Sequence, residues 1–193
     1  MKISNLLKLL LIYISLFIIG TIAYILSFRT PLISNISVFF YRGIALIILW
    51  GIIVSAVMIL LRRFRFKNLI TIRDILLLFC AFCCINIVIF THLPVTADRS
   101  ITVFMLGVFA EDENVSYTQE DIEKVFWEKY VNEYEAFDKR FQEQLATGTI
   151  EKLPDGTYRI TSKGKSLIGI YDTIATWYKI DKKLIHPGLE SSE

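Results

Sequence analysis

The chain has 193 residues, of which 54% are hydrophobic, and its formal net charge is +2 at pH 7. Its mean hydropathy of +0.51 excludes an ordinary water-soluble globule. The charge is divided unevenly along the chain. Residues 1–94 carry nine Lys or Arg and one acid, giving +8, whereas residues 95–193 carry twelve Lys or Arg and eighteen acids, giving −6. The sequence therefore predicts a basic, apolar first half and an acidic, polar second half.

Three uncharged stretches in the first half are each long enough to cross a bilayer, which requires about 20 apolar residues in a helix. They cover residues 9–28, 43–61 and 75–93. None of them alternates apolar and polar residues as a barrel strand does. We therefore predict an α-helical membrane region over residues 1–94, with three transmembrane helices, the first of which is an uncleaved anchor.

The basic residues between these helices predict how the chain is oriented. The second loop contains five of them, and the first loop contains two, Arg29 and Arg42. Short loops rich in Lys and Arg stay in the cytoplasm. This asymmetry predicts a plasma or inner membrane protein with a cytoplasmic N-terminus and a C-terminal half outside the cytoplasm.

Small and polar residues inside the predicted spans indicate helix packing. Asn86 lies in the third span, where an amide commonly bonds to a neighbouring helix. Gly51 and Ser55 are four positions apart, a spacing of small residues that lets two helices approach closely. No acidic or basic residue lies mid-span, which disfavours a transporter or channel.

The cysteines do not indicate a disulfide framework or a metal site. All three, Cys80, Cys83 and Cys84, lie in the third span, and the polar half has none. A thiolate site would place charged sulfur in hydrocarbon without further ligands, so we interpret them as small apolar fillers. No metal and no cofactor is predicted.

A polar cluster marks the place where the chain leaves the third span. An arginine guanidinium can hold a lipid phosphate through two hydrogen bonds. We therefore interpret five residues as a candidate site for a lipid phosphate or a partner: His92, Asp98, Arg99, Arg29 and Arg42. The alternative is that Asp98 or Ser100 caps a short helix over residues 99–110 and Arg99 marks the head-group level.

Residues 95–182 are predicted to form a separate α+β domain, followed by a flexible tail over 183–193. Its first element is the helix over 99–110, either buried in the domain or interfacial. Thr118 opens the next helix with a capping-box pattern. A further helix over 137–146 ends at Gly148. A hairpin with the turn Pro154–Gly156 follows, and Thr161 or Ser162 caps the last helix.

The stretch Gly148–Ile168 resembles the wing of MarR- and PadR-like winged-helix regulators. In that family a glycine after the recognition helix precedes a strand, an Asp-Gly turn and a strand that ends in a Leu/Ile-Thr-x-x-Gly pattern. The matching residues are Gly148, Asp155, Gly156, Ile160, Thr161 and Gly164. The resemblance implies a small winged-helix-like C-terminal domain.

DNA binding by such a domain relies on basic residues that neutralise phosphates. The wing offers a basic strip around Asp155 and Gly156: Lys152, Arg159, Lys163 and Lys165. The net charge of −6 in this half and its predicted place outside the cytoplasm both disfavour nucleic acid as a partner.

We therefore predict a non-catalytic membrane accessory or scaffold protein, and we lean against an enzyme. It would present its winged-helix-like domain to a membrane protein or to a second copy, among membrane lipids, in a setting such as envelope glycan or lipid-linked sugar assembly. One alternative is a membrane-anchored DNA-binding transcriptional regulator. A weaker alternative is a small enzyme that acts on lipid head groups around His92, Asp98 and Arg99.

Overall fold

The computed structural model describes residues 3–111 and 115–188, which are mostly helical with one two-stranded sheet. The elements in chain order are α1 (Ile3–Ser27), α2 (Phe39–Phe64), α3 (Ile72–His92), α4 (Pro94–Arg99), α5 (Ile101–Glu111), α6 (Gln119–Val125), a π-helix (Phe126–Glu133), α7 (Ala136–Thr147), β1 (Ile150–Lys152), β2 (Tyr158–Ile160), α8 (Ser162–Tyr178) and a 3-10 turn (Lys182–Leu184).

Three helices are long and apolar enough to cross a membrane, as the hydropathy pattern predicts. All three begin before the predicted stretches, and α2 also ends three residues after its stretch. α1 begins at Ile3 and so includes Lys8. α3 begins at Ile72 because Thr71 and Asp74 form a capping box in which each side chain accepts a hydrogen bond from the other residue's backbone N–H.

Glycines allow the three long helices to pack closely. A Cβ atom on Gly20 of α1 would lie 2.9 Å from a ring atom of Phe82, and one on Gly51 of α2 would lie 2.9 Å from the Cys83 sulfur. Phe82 is completely buried. The space that the missing methyl groups leave is therefore filled by side chains of α3.

The chain leaves α3 through two short helices. Proline resists helix continuation, and Pro94 instead opens α4. The side chain of Ser100 then accepts a hydrogen bond from the backbone N–H of Val103, so Ser100 caps α5 as predicted. Asp98 lies inside α4 rather than at this cap.

The helix α5 is not the buried first helix of a C-terminal domain, which was one of two expectations for it. None of its residues is buried. Contacts group the described residues up to Ser116 in one compact unit and those from Tyr117 onward in a second, so α5 belongs to the first unit. The predicted boundary lay at residue 95. Apolar character alone does not tell a core helix from an interfacial one.

The second unit starts with a capped helix that changes its geometry. Thr118 and Asp121 form the predicted capping box at the start of α6. After Val125 the helix continues as a π-helix, with Tyr134 N–H donating to the Lys129 carbonyl five residues earlier. The sequence predicts an ordinary α-helix here, since side-chain periodicity does not distinguish a π-helix over two turns.

The rest of the second unit follows the predicted order. Gly148 ends α7 in the left-handed conformation (φ 69°), as its place after the predicted helix suggests. β1 and β2 pair antiparallel, with Ile150 opposite Ile160. Thr161 caps α8 by accepting from the Gly164 N–H, and its hydroxyl also donates to the Gly148 carbonyl at 2.8 Å. The Thr161 hydroxyl thus links the end of α7 to the start of α8, on either side of the hairpin.

Candidate functional site

Aromatic rings fill the end of the first unit where α1 and α3 finish and α2 begins. Phe90 of α3 is buried at their centre. It contacts Phe39 and Phe28 with ring centroids 5.4 and 5.9 Å away. Gly43 leaves room for this ring, since a Cβ there would overlap it. The cluster therefore fills this end of the helix bundle with packed apolar side chains.

A cavity of about 360 Å³ opens beside this aromatic cluster. Its lining is largely apolar and comes mainly from the last turns of α1 and α3: Thr21, Tyr24, Ile25, Phe28, Arg29, Phe39, Asn86, Ile89, Phe90 and Pro94. A volume of roughly 300–1,000 Å³ is typical of sites for small organic ligands. Among the lining residues Arg29 is the one basic side chain, and none is acidic.

Three polar residues of the spans line the cavity: Thr21, Tyr24 and Asn86. The Asn86 amide donates to Thr21 Oγ1 of α1 at 3.2 Å and to the Phe82 carbonyl at 2.9 Å. The Tyr24 hydroxyl is buried and has no hydrogen-bond partner within the described part of the chain. Asn86 therefore links two helices, and Tyr24 contributes an unsatisfied polar atom.

Gly51 and Ser55, the other residues predicted to pack helices together, have different roles in the structure. Gly51 faces α3, close to Cys83 and Phe79. The Ser55 hydroxyl donates to the Gly51 carbonyl of its own helix at 2.8 Å. Gly51 therefore makes the close approach, and Ser55 satisfies its hydroxyl locally.

The three arginines of the predicted phosphate cluster have different environments. Arg42 donates to the carbonyls of Thr30 at 2.7 Å and Leu32 at 3.2 Å, so its guanidinium holds the loop between α1 and α2. Arg99 lies over the Phe40 ring at 6.0 Å. Arg29 is exposed, and within the described residues its guanidinium donates no hydrogen bond. Of these, Arg29 lines the cavity.

The histidine of the same cluster bonds along its own helix. Nδ1 of His92 lies 2.9 Å from the Val88 carbonyl and 3.2 Å from the Thr91 hydroxyl, both in α3. Asp98 occupies α4 and is half-buried. The Nδ1 hydrogen bonds of His92 therefore stay within the last turn of α3.

The basic residues of the predicted wing are largely engaged within the hairpin region. Arg159 pairs with Glu151 at 2.6 Å across the strands, and Lys163 donates to the Thr147 carbonyl at 2.6 Å. Lys152 lies 5.9 Å from the centre of the Tyr158 ring. Lys165 is exposed in the first turns of α8.

The turn of the wing is fixed by its acid and its glycine. Gly156 has φ 88°, a conformation that side chains rarely adopt. Asp155 accepts hydrogen bonds from the Thr157 hydroxyl at 2.6 Å and from its backbone N–H at 2.9 Å, and these bonds hold the pKa of the Asp155 carboxyl below its ordinary value of 3.8. Both residues therefore serve the turn itself.

The helix α8 displays large apolar side chains to the outside. They follow one face at helical spacing, and five of the six are exposed while Ile174 is half-buried. We name this set the α8 stripe: Leu167, Ile170, Tyr171, Ile174, Trp177 and Tyr178. Trp177 and Tyr178 are 74% and 75% exposed, values far above those of core aromatics.

The helical spacing of these residues is visible in the sequence, but spacing alone does not show whether the face that they form is buried or exposed. Comparisons with protein-family models, curated proteins and solved structures found no match to this chain.

Proposed function

We propose that this chain is a non-catalytic membrane accessory protein that presents its C-terminal unit to a membrane-bound protein partner. The observation that carries the proposal is the exposed α8 stripe. Contiguous exposed apolar surface on a folded unit marks an interaction site, and aromatic residues are enriched in the centres of protein interfaces. Three helices long enough to span a bilayer supply the anchor.

We interpret the C-terminal unit as winged-helix-like. The support is the order of its elements, in which two helical segments precede a hairpin and a last helix follows it. The positive φ angles of Gly148 and Gly156 fit the resemblance that these two glycines suggest in the sequence. The fold by itself implies no function, so the proposal rests on the exposed surface.

A protein partner fits this unit better than DNA. Binding to DNA requires Lys and Arg side chains that are available to phosphates. Arg159 and Lys163 are engaged within the unit, and Arg140 of α7 pairs with Glu143 at 2.8 Å. The second half of the chain is also acidic, with a charge of −6.

We further propose that the C-terminal unit lies outside the cytoplasm and acts in envelope glycan or lipid-linked sugar assembly. The support for the side is the concentration of Lys and Arg between α2 and α3. The support for the setting is Arg29, which lines an apolar cavity and whose guanidinium has no hydrogen-bond partner among the described residues.

The test combines topology with crosslinking in intact cells. We expect a C-terminal alkaline phosphatase fusion to be active and a fluorescent-protein fusion to be dark. A photoreactive amino acid at Trp177 should crosslink to one membrane protein in near-stoichiometric yield. The matched control is the same amino acid at Glu128, a charged and exposed position of the π-helix, where no crosslink is expected.

The alternatives give different results. A fusion that is active only in the cytoplasm, together with recovery of bound DNA, contradicts the proposal and supports a membrane-anchored regulator. Equal crosslinking from positions 177 and 128 contradicts a docking role for the α8 stripe. Turnover of a lipid head group that His92→Ala abolishes would instead indicate an enzyme.

A further inference from the structure

We propose that the cavity between α1 and α3 binds one lipid that carries a phosphate group. The hydrocarbon chain lies in the cavity, among Ile25, Ile89 and Phe90, and the phosphate is held by the guanidinium of Arg29. This inference concerns the first unit and does not depend on the role of the C-terminal unit.

The lining and volume of the cavity account for the hydrocarbon chain. Its lining surface is largely apolar, and its volume of about 360 Å³ is in the range of sites for small organic ligands. A free anion would not bind against such a lining, because it would lose its hydration there and gain no polar contacts in return. The occupant therefore combines an apolar part with a charged end.

The position of Arg29 accounts for the charged end. Arg29 follows the last residue of α1, Ser27, by two positions, which places it at the boundary of the apolar segment. The lining contains no acid that would neutralise it. An arginine in this position attracts an anion, and its planar fork matches a phosphate through two parallel hydrogen bonds.

The guanidinium of Arg42, unlike that of Arg29, is occupied by bonds within the protein. Arg42 is at the same end of the bundle, yet its guanidinium is occupied by the carbonyls of Thr30 and Leu32. These bonds fix the loop that follows Arg29 and so preorganise the mouth of the cavity. Arg42 is thus a positioning residue, and Arg29 is the residue that contacts the ligand.

The test measures binding of hexadecyl phosphate to the full chain in a nonionic detergent by native mass spectrometry. We expect one bound molecule. Arg29→Gln should weaken binding about tenfold, the effect of losing a charge-assisted hydrogen-bonded pair. Arg29→Lys should retain part of the affinity. Arg63→Gln, which removes an equal charge at the far end of α2, should change it by less than about twofold.

A second pair of variants tests the hydrocarbon part. Ile25 lines the cavity and Ile22 does not, although both are on α1 and are 56% and 52% exposed. Ile25→Trp should fill the cavity and lower the affinity at least about tenfold, whereas Ile22→Trp should leave it unchanged. The unfolding temperature of each variant checks that the bundle remains folded.

Two further ligands separate the possible sources of phosphate. Inorganic phosphate should not compete with hexadecyl phosphate, and hexadecylphosphocholine, whose choline cation neutralises the head group, should bind more weakly. Equal losses in Arg29→Gln and Arg63→Gln would overturn the proposal, as would full binding by Ile25→Trp. Competition by inorganic phosphate would also overturn it, because the site would then recognise a free anion.

Discussion

The indole N–H of Trp50 donates a hydrogen bond to the hydroxyl of Ser27, with 2.8 Å between the nitrogen and the oxygen. The same hydroxyl donates to the Ala23 carbonyl of its own helix at 2.8 Å. Ser27 is the last residue of α1 and is buried. One small, buried side chain thus joins the end of α1 to the middle of α2.

Removing this hydroxyl should destabilise the bundle. Ser27→Ala leaves the Trp50 N–H without its acceptor, and we expect the free energy of unfolding to fall by about 1 kcal/mol. Ser55→Ala is the matched control, since the Ser55 hydroxyl bonds only within α2. Unfolding in a detergent titration measures both variants. Equal losses would show that the contact between the two helices adds nothing.

A methyl group on Gly20 should be costly. Its Cβ would lie 2.5 Å from a methyl carbon of Val54 and 2.9 Å from the ring of Phe82, so α1 must shift away from both partners. We expect Gly20→Ala to lower the free energy of unfolding by about 1–3 kcal/mol. Gly107→Ala, in the middle of α5 with no atom near its Cβ, should instead stabilise its helix by about 1 kcal/mol. A stabilised Gly20→Ala variant would contradict the close packing of α1.

The hydroxyl of Thr161 should matter more than its methyl group. Thr161→Ala removes both the cap of α8 and the bond to the Gly148 carbonyl, and we expect a loss of about 1–2 kcal/mol in the second unit. Thr161→Ser keeps the hydroxyl and should lose little. Hydrogen exchange at the backbone of β2 and α8 in the full chain reports the difference. Equal protection in the two variants would speak against this double role.

The carboxyl of Asp172 should titrate below its ordinary range. A hydrogen bond from the Lys182 ammonium, at 2.8 Å, is the main cause that lowers its pKa from 3.8, and His186 at 3.4 Å adds to it. Because the folded pKa is depressed, this attachment of residues 182–186 to α8 is complete at neutral pH. It is lost as the pH falls through the folded value, below 3.8.

Carbon NMR of the labelled aspartates measures this titration. Lys182→Met should raise the pKa of Asp172 toward 3.8. Lys183→Met is the matched control, because Lys183 pairs with Asp181 at 2.9 Å and should leave Asp172 unchanged. An unshifted Asp172 in Lys182→Met would refute the pairing. Residues 183–188 belong to the segment that was predicted as a flexible tail. The rest of that segment, residues 189–193, lies outside the described part of the chain.

Local signals made much of the fold predictable. A capping pattern involves only about four residues, so the sequence predicts the cap at Thr118, and Thr161 as one of two candidates, without knowledge of the tertiary structure. The left-handed Gly148 follows from its place after a helix. The same pattern occurs at Thr71 and Asp74, just before the third span, and would have predicted the capping box there.

Contacts between distant residues were not predictable in the same way. The sequence places Arg42 in the candidate lipid-phosphate cluster, but its partners are two carbonyls of a loop whose path the sequence does not specify. The cavity beside Arg29 depends on how three helices meet, and no periodicity in one helix defines a gap between two. The prediction that Arg29 belongs to a phosphate site remains a proposal, and its support is that Arg29 lines this cavity whereas Arg42 and Arg99 do not.

The π-helix over Phe126–Glu133 makes this part of the chain tolerant of a change in length. Removing one residue there would let the ladder close as an ordinary α-helix and would leave α7 with its own start at Ala136. A deletion in α7 after Phe141 would instead rotate this ring by about 100° relative to the hairpin and carry it away from Tyr158, whose ring centre is 4.7 Å distant. The π-helix is therefore a stretch where the loss of one residue can be absorbed before it reaches the hairpin.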